Sequence, residues 1–183
     1  MNKSTMAKTA TLTGIIITFA CFWLYRDYQD SYPQPHQAIQ EEESDLQLIT
    51  AYKTNGKSLH LFIKNHDHLG AAYAHEGIFG WKSDMLTWGP MDQSIDRHKL
   101  SGMKSHGDSI LYGLIRDGGD HAVKIDHQSA VVINLSLLHP KVVEEYDLEG
   151  LYLWYFEKDP DVTYEIIQLE RKDTDEIVDE VNI

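Results

Sequence analysis

An alternation of period two, turning back on itself at Asn55-Gly56, constrains the fold of this chain more than any other feature. Leu46, Leu48, Thr50 and Tyr52 alternate with Gln47, Ile49, Ala51 and Lys53; beyond the turn, Leu59, Leu61 and Ile63 alternate with His60, Phe62 and Lys64. Successive side chains of a strand point to opposite faces, and Asn-Gly accepts the positive dihedrals of a tight turn, so the stretch predicts a β-hairpin. "SILYGLIR" (109–116) is apolar on both faces, and Gly118-Gly119 turns it into "HAVKID", where Val123 and Ile125 share one side. Further strands are expected at 130–135, 150–156 and 162–169. Several short strands and no long helical period predict a mainly β domain, an antiparallel β-sandwich or partly closed barrel.

Ahead of this domain, residues 9–25 carry no charge and are dominated by Ile15, Ile16, Ile17, Phe19, Phe22, Trp23 and Leu24. At ~1.5 Å rise per residue a helix of this run falls slightly short of a ~30 Å hydrocarbon core, the lower edge of what can span. Lys8 and Arg26 are placed to snorkel at its ends. The small-residue cleavage pattern at Thr18-Phe19-Ala20 lies inside the run, and Thr18 replaces the aliphatic residue expected three positions before a lipidated Cys21. The segment therefore reads as an uncleaved signal-anchor, a single-pass transmembrane helix. Lys3 and Lys8 precede it while Asp27, Asp30 and Glu41–Glu43 follow, which predicts a cytoplasmic N-terminus and an extracytoplasmic C-terminal domain in the cell membrane. The organisation expected is a short cytoplasmic N-terminus (1–8), a transmembrane anchor (9–25), a polar stalk (26–45), an extracytoplasmic β-domain (46–171) and an acidic tail (172–183).

With 16 basic residues against 29 acidic ones and a net charge of −13, the chain repels phosphate backbones, so no nucleic-acid partner is expected. Divalent cations or basic surfaces fit the charge better; the partner expected is a membrane or cell-surface protein, besides the membrane itself through residues 9–25. The one cysteine lies in the apolar run, which excludes a disulfide within the β-domain and a thiol nucleophile there; for a protein of this size outside the cytoplasm, that usage is bacterial.

Two segments interrupt the alternation. "HEGIFGWKSDMLTWGP" (75–90) sets Phe79, Trp81 and Trp88 among glycines, and "LSGMKSHGDS" (100–109) reads as a Gly and Ser loop. Aromatics beside glycine form either a stacking surface for a ligand or core packed against bulges, so Trp81 and Trp88 are candidate ligand-binding residues. Trp81 is expected in the core, because Ile78 and Phe79 accompany it. "GIFGWK" (Gly77 to Lys82), followed by "ILYGLIRD" (Ile110 to Asp117) and a hairpin strand, resembles a group of small uncharacterised proteins of Gram-positive spore-forming bacteria. Those carry an N-terminal hydrophobic segment, a Phe-Gly-Trp-Lys core and a later Tyr-Gly strand. The likeness covers roughly residues 46–170 and departs after Lys82, where Ser83, Asp84 and Met85 replace a second Trp and a Gly-rich loop. It implies a place and a fold, and carries no catalytic residue.

Ten histidines raise metal binding. His66 and His68 flank Asp67 in an expected turn, with His75-Glu76 soon after; neutral imidazoles and a carboxylate hold zinc or a similar ion. The pair lacks the helical spacing that sets zincin ligands on one face. His98, His106, His121, His127 and His139 fall in loops or at strand ends and read as surface residues, and His60 as a partly buried structural one. "SHGDS" offers Ser105, His106, Asp108 and Ser109, but sequence neighbours cannot supply triad geometry. No cofactor motif is present. These residues lead to a non-enzymatic binding or accessory module at the cell surface; the alternative is a metal-dependent hydrolase using His66, His68, His75 and Glu76.

Overall fold

The computed structural model describes residues 3–54, 56–106 and 110–183, with the side chains of residues 3–11, 85 and 101–106 left aside. The chain is mainly β, with antiparallel sheets and no closed barrel. Two helices, α1 (Lys3–Gln29) and α2 (Pro35–Glu42), precede β1 (Leu46–Lys53), β2 (Lys57–Lys64), β3 (His68–Glu76) and β4 (Trp81–Pro90). These four strands form one sheet in the order β1-β2-β3-β4. The expected hairpin is present: β1 and β2 adjoin, Gly56 has φ +90°, and the Thr54 N–H donates to Lys57 O over 2.8 Å. Asn55 itself lies outside the described residues.

Two compact units divide the chain. The first comprises residues 1–62 and 71–86, the second residues 63–70 and 87–183. In the first, Ala38, Ile39, Leu46, Phe62, Ala72, Ala74 and Trp81 make the core, with Tyr32, Leu48 and Leu86 against it. Residues 26–45 are thus no stalk. Pro35 opens α2, whose missing N–H costs nothing at a helix start, and α2 buries Ala38 and Ile39. Tyr32 bridges to Trp81 by a reciprocal pair of backbone hydrogen bonds of 2.9 and 2.7 Å. A Cβ on Gly80, at φ +140°, would come within 2.6 Å of Tyr32 O, so only glycine fits that approach.

Helix α1 overturns the expected anchor. Among the described residues no helix is long and apolar enough to cross a membrane. Thr11, Thr13, Gly14 and Thr18 dilute the uncharged run, and α1 continues past it through the charged Arg26 and Asp27 to Gln29. With the transmembrane anchor at 9–25 go the single-pass cell-membrane location, the cytoplasmic and extracytoplasmic assignments, and the membrane partner through that segment. The far end of α1 belongs to the first unit: Asp27 pairs with Lys82, and the Tyr28 ring meets Phe79 edge-on at 5.8 Å.

The second unit holds two further sheets. Strands β5 (Ser101–His106), β6 (Ile110–Arg116), β7 (His121–Ile125), β8 (Gln128–Ser129) and β9 (Val131–Asn134) lead to a 3-10 turn at Leu135–Leu137 and helix α3 (Pro140–Glu145). Then come β10 (Leu151–Glu157), β11 (Ile166–Arg171) and β12 (Ile177–Asn182). One sheet has the order β5-β6-β10-β9, the other β12-β11-β7-β8. Leu111, Ile115, Trp154 and Phe156 from the first of these meet Val123, Ile125, Ile167 and Leu169 from the second in one core. Every pair is two residues apart on its strand or, for Leu111 and Ile115, four. Trp154 stands opposite Gly113 across the β6–β10 ladder, where the glycine leaves room for the indole. The Gly and Ser loop expected at 100–109 is largely strand β5, and the acidic tail expected at 172–183 contains β12, paired with β11. Burial works against ionisation of Asp179 on β12, but hydrogen bonds from the Leu100 N–H at 2.7 Å and from Lys99 at 3.1 Å overcome it and hold the carboxyl below its usual range.

Candidate functional site

Strand β6 belongs to one sheet of the second unit and β7 to the other, so the turn Asp117-Gly118-Gly119-Asp120 carries the chain across. Asp117 adopts φ +53°, and the Asp120 N–H donates back to Asp117 O at 2.9 Å. Gly118 is compulsory: a Cβ there would stand 2.6 Å from Cγ of Tyr152. Lys172, just past β11, staples the turn. Its backbone N–H donates to Asp120 O at 2.9 Å, and its Nζ donates to Gly118 O at 2.8 Å and Gly119 O at 2.9 Å.

His121 follows the turn and is only 4% exposed. Its Nδ1 lies 3.1 Å from Asp117 O. A carbonyl only accepts, so Nδ1 carries the proton, and in the neutral ring Nε2 is an acceptor. Among the described residues Nε2, buried, has no hydrogen-bond partner, nor has Nε1 of Trp154. Leaving such an atom unpaired costs about 1–3 kcal/mol. The exposed His98 ring lies against His121, centroids 5.5 Å apart and tilted by 60°.

Around these two rings opens a cleft of about 420 Å³, within the size range of small-molecule sites. Its charged lining is Arg97, Arg171 and Lys172 against Asp117, Asp120 and Asp173. Arg97 Nε sits 3.1 Å from Asp117 Oδ2, and Arg171 Nη1 3.1 Å from Glu176 Oε2. The lining balances its signs in a chain with a large acidic excess.

The residues singled out from the sequence lie elsewhere. His66 stacks on Tyr146 at 4.5 Å and approaches Glu145 at 3.6 Å, while His68 Nδ1 is 2.5 Å from Asp67 Oδ1, all within the second unit. In the first unit His75 faces Asp84 at 3.9 Å and the Glu76 N–H donates to Gly56 O at 3.0 Å. Among the described residues no three or more His, Cys, Asp or Glu side chains are grouped to hold a metal ion. Trp81, 4% exposed, is core with Lys53 Nζ 5.0 Å from its ring; Trp88 is 43% exposed with Lys64 Nζ 3.9 Å from its ring. Strand β5 covers Ser105 and His106, whereas Asp108 and Ser109 lie outside the described residues. Sequence reasoning took His121 for a surface residue; the signal for its place is the charged "DGGDH" set between two apolar strands.

His60 is the opposite of His121. It is 2% exposed, with Nε2 2.9 Å from Ser58 Oγ and Nδ1 3.3 Å from Thr50 Oγ1. Because the Ser58 hydroxyl donates to Tyr52 O at 3.0 Å, its oxygen accepts from Nε2–H and Nδ1 accepts from Thr50. Burial, then the nearby His36 and Lys53, push the His60 pKa down to about 4. The ring is a neutral structural link between β1 and β2.

Comparison with models of known protein families, with curated proteins and with solved structures finds no match.

Proposed function

We propose that this chain is a non-enzymatic binding or accessory module whose second unit takes a small polar ligand in the cleft at the β6–β7 turn. In this reading the two sheets of that unit form an antiparallel sandwich, and the cleft opens where the chain crosses between them. One observation carries it: a buried imidazole with an unused acceptor beside a small cleft of balanced charge. Buried polar atoms are nearly always paired, and each exception calls for a cause; a ligand is one. The resemblance of Gly77–Lys82 and Ile110–Asp117 to small proteins of spore-forming bacteria belongs to the same proposal and adds no chemistry to it.

The test is a histidine-resolved NMR titration of the full chain with a panel of small polar solutes. A solute that moves the His121 and His98 ring signals and leaves His60 in place supports the reading. A panel that moves neither His121 nor His98 defeats it, and stoichiometric zinc in the purified protein would favour the hydrolase instead.

A further inference from the structure

The cleft also constrains what its ligand is. We propose that it binds a small zwitterion, an ammonium and a carboxylate on one molecule, of the class of free amino acids and short peptides; this rests on the binding reading above. The His121 Nε2 acceptor calls for a hydrogen-bond donor, since its other nitrogen is already committed to the Asp117 carbonyl. An ammonium supplies that donor and suits the Asp120 and Asp173 carboxylates of the lining.

The opposite end of the ligand follows from the arginines. A guanidinium carries five N–H donors, and the ion pairs of Arg97 and Arg171 engage them through Nε and Nη1 respectively, so each retains donors for a carboxylate. Lys172 has two of its ammonium protons on the Gly118 and Gly119 carbonyls and holds the turn rather than the ligand. A polyanion such as phosphate meets three carboxylates in the same lining, and a divalent cation meets three fixed positive charges. A molecule of both signs satisfies the two halves at once.

In this proposal His98 is the cover: its exposed ring rests on His121, whose Nε2 is closed off from water, and the ligand reaches that atom when His98 turns aside. A closed cover reduces apparent affinity by the fraction of open protein. Removing it strengthens binding.

The experiment titrates the full chain with triglycine, N-acetyltriglycine, triglycine amide and inorganic phosphate, reading the His121 and His98 ring signals. Triglycine is expected to bind best, with each blocked form weaker by roughly tenfold or more, the equivalent of one lost hydrogen bond or ion pair. His98→Ala tightens triglycine by about threefold or more, and His121→Phe, which keeps an aromatic ring and deletes the acceptor along with the Nδ1–H bond to Asp117, weakens it by roughly tenfold. Blocked peptides that bind as well as triglycine, or phosphate that displaces it, overturn the zwitterion while leaving the cleft a binding site. Ring signals that no probe moves, in the native chain or in His98→Ala, overturn both.

Discussion

His60 in the first unit and His121 in the second are buried to nearly the same degree, each beside a turn between strands, yet their surroundings treat them differently. Around His60 the hydroxyls of Thr50 and Ser58 complete both ring nitrogens, and the Tyr52 carbonyl fixes which way the protons run. Around His121 a carbonyl completes one nitrogen, and the other has no partner among the described residues. A fully satisfied buried network rigidifies a fold; a partly satisfied one is costly, and persists where something else depends on it. Burial alone therefore does not separate a structural histidine from a binding one. In the proposed reading, the count of completed hydrogen bonds does.

The largest effect should come from the closed first unit. Trp81→Ala removes a core ring and is expected to lower stability by about 3–5 kcal/mol in urea unfolding. An unchanged midpoint would show that region to be less closed than its burial implies. Next, acid should find His60. Its folded pKa of about 4 lies below the unfolded value of 6.5, so the unfolded chain takes up a proton first as pH falls. Its contribution is whole above pH 6.5 and lost progressively down to about pH 4, at most ~3 kcal/mol. A stability profile flat across that window would remove the contrast. His60→Leu, which strands the Thr50 hydroxyl, should cost about 2 kcal/mol, whereas His121→Leu exchanges an unpaired acceptor and one hydrogen bond for apolar volume and should stay within ~1 kcal/mol. Equal losses in thermal or urea melts would mean that His121 is as structural as His60. The smallest change belongs to the exposed Trp88: Trp88→Ala should move the midpoint by ~0.5 kcal/mol.

Much of the fold was legible where apolar residues alternate over a buried face, as in β2, β7 and β10. Strand β12 was not, because Ile177, Val178 and Val181 follow no alternation and Asp179 and Glu180 interrupt them; an edge strand needs only one hydrogen-bonded neighbour and can keep a polar face. Strand β5 hid behind Gly102 and Ser105 for a related reason, since its backbone bonds to β6 hold it in place. Helix α2 carries too few apolar residues to show a period, yet Ala38 and Ile39 are buried. The membrane anchor was overread because an uncharged run was weighed by its ends rather than by its threonines. As for the cleft, its charged residues come from a loop and two turns far apart in sequence, and nothing local reports that the β6–β7 turn changes sheets. The glycines of that turn were visible; the buried neighbour they deliver was not.

The clasp of Asp179 on the Leu100 N–H has a kinetic consequence. It joins residues 79 apart in the chain, and the sheet behind it sets β7 against β11 across most of the second unit. Such contacts repay nothing until a long loop has closed, and each doubling of that loop adds about 0.6 kcal/mol of entropy to the barrier. Folding of this unit should therefore fall in the millisecond-to-second range typical of non-local β topologies. A clasp across so long a loop is expected to close late in folding, so weakening it with Asp179→Asn should leave the refolding rate nearly unchanged and quicken unfolding, making this one carboxylate a determinant of how long the native state lasts.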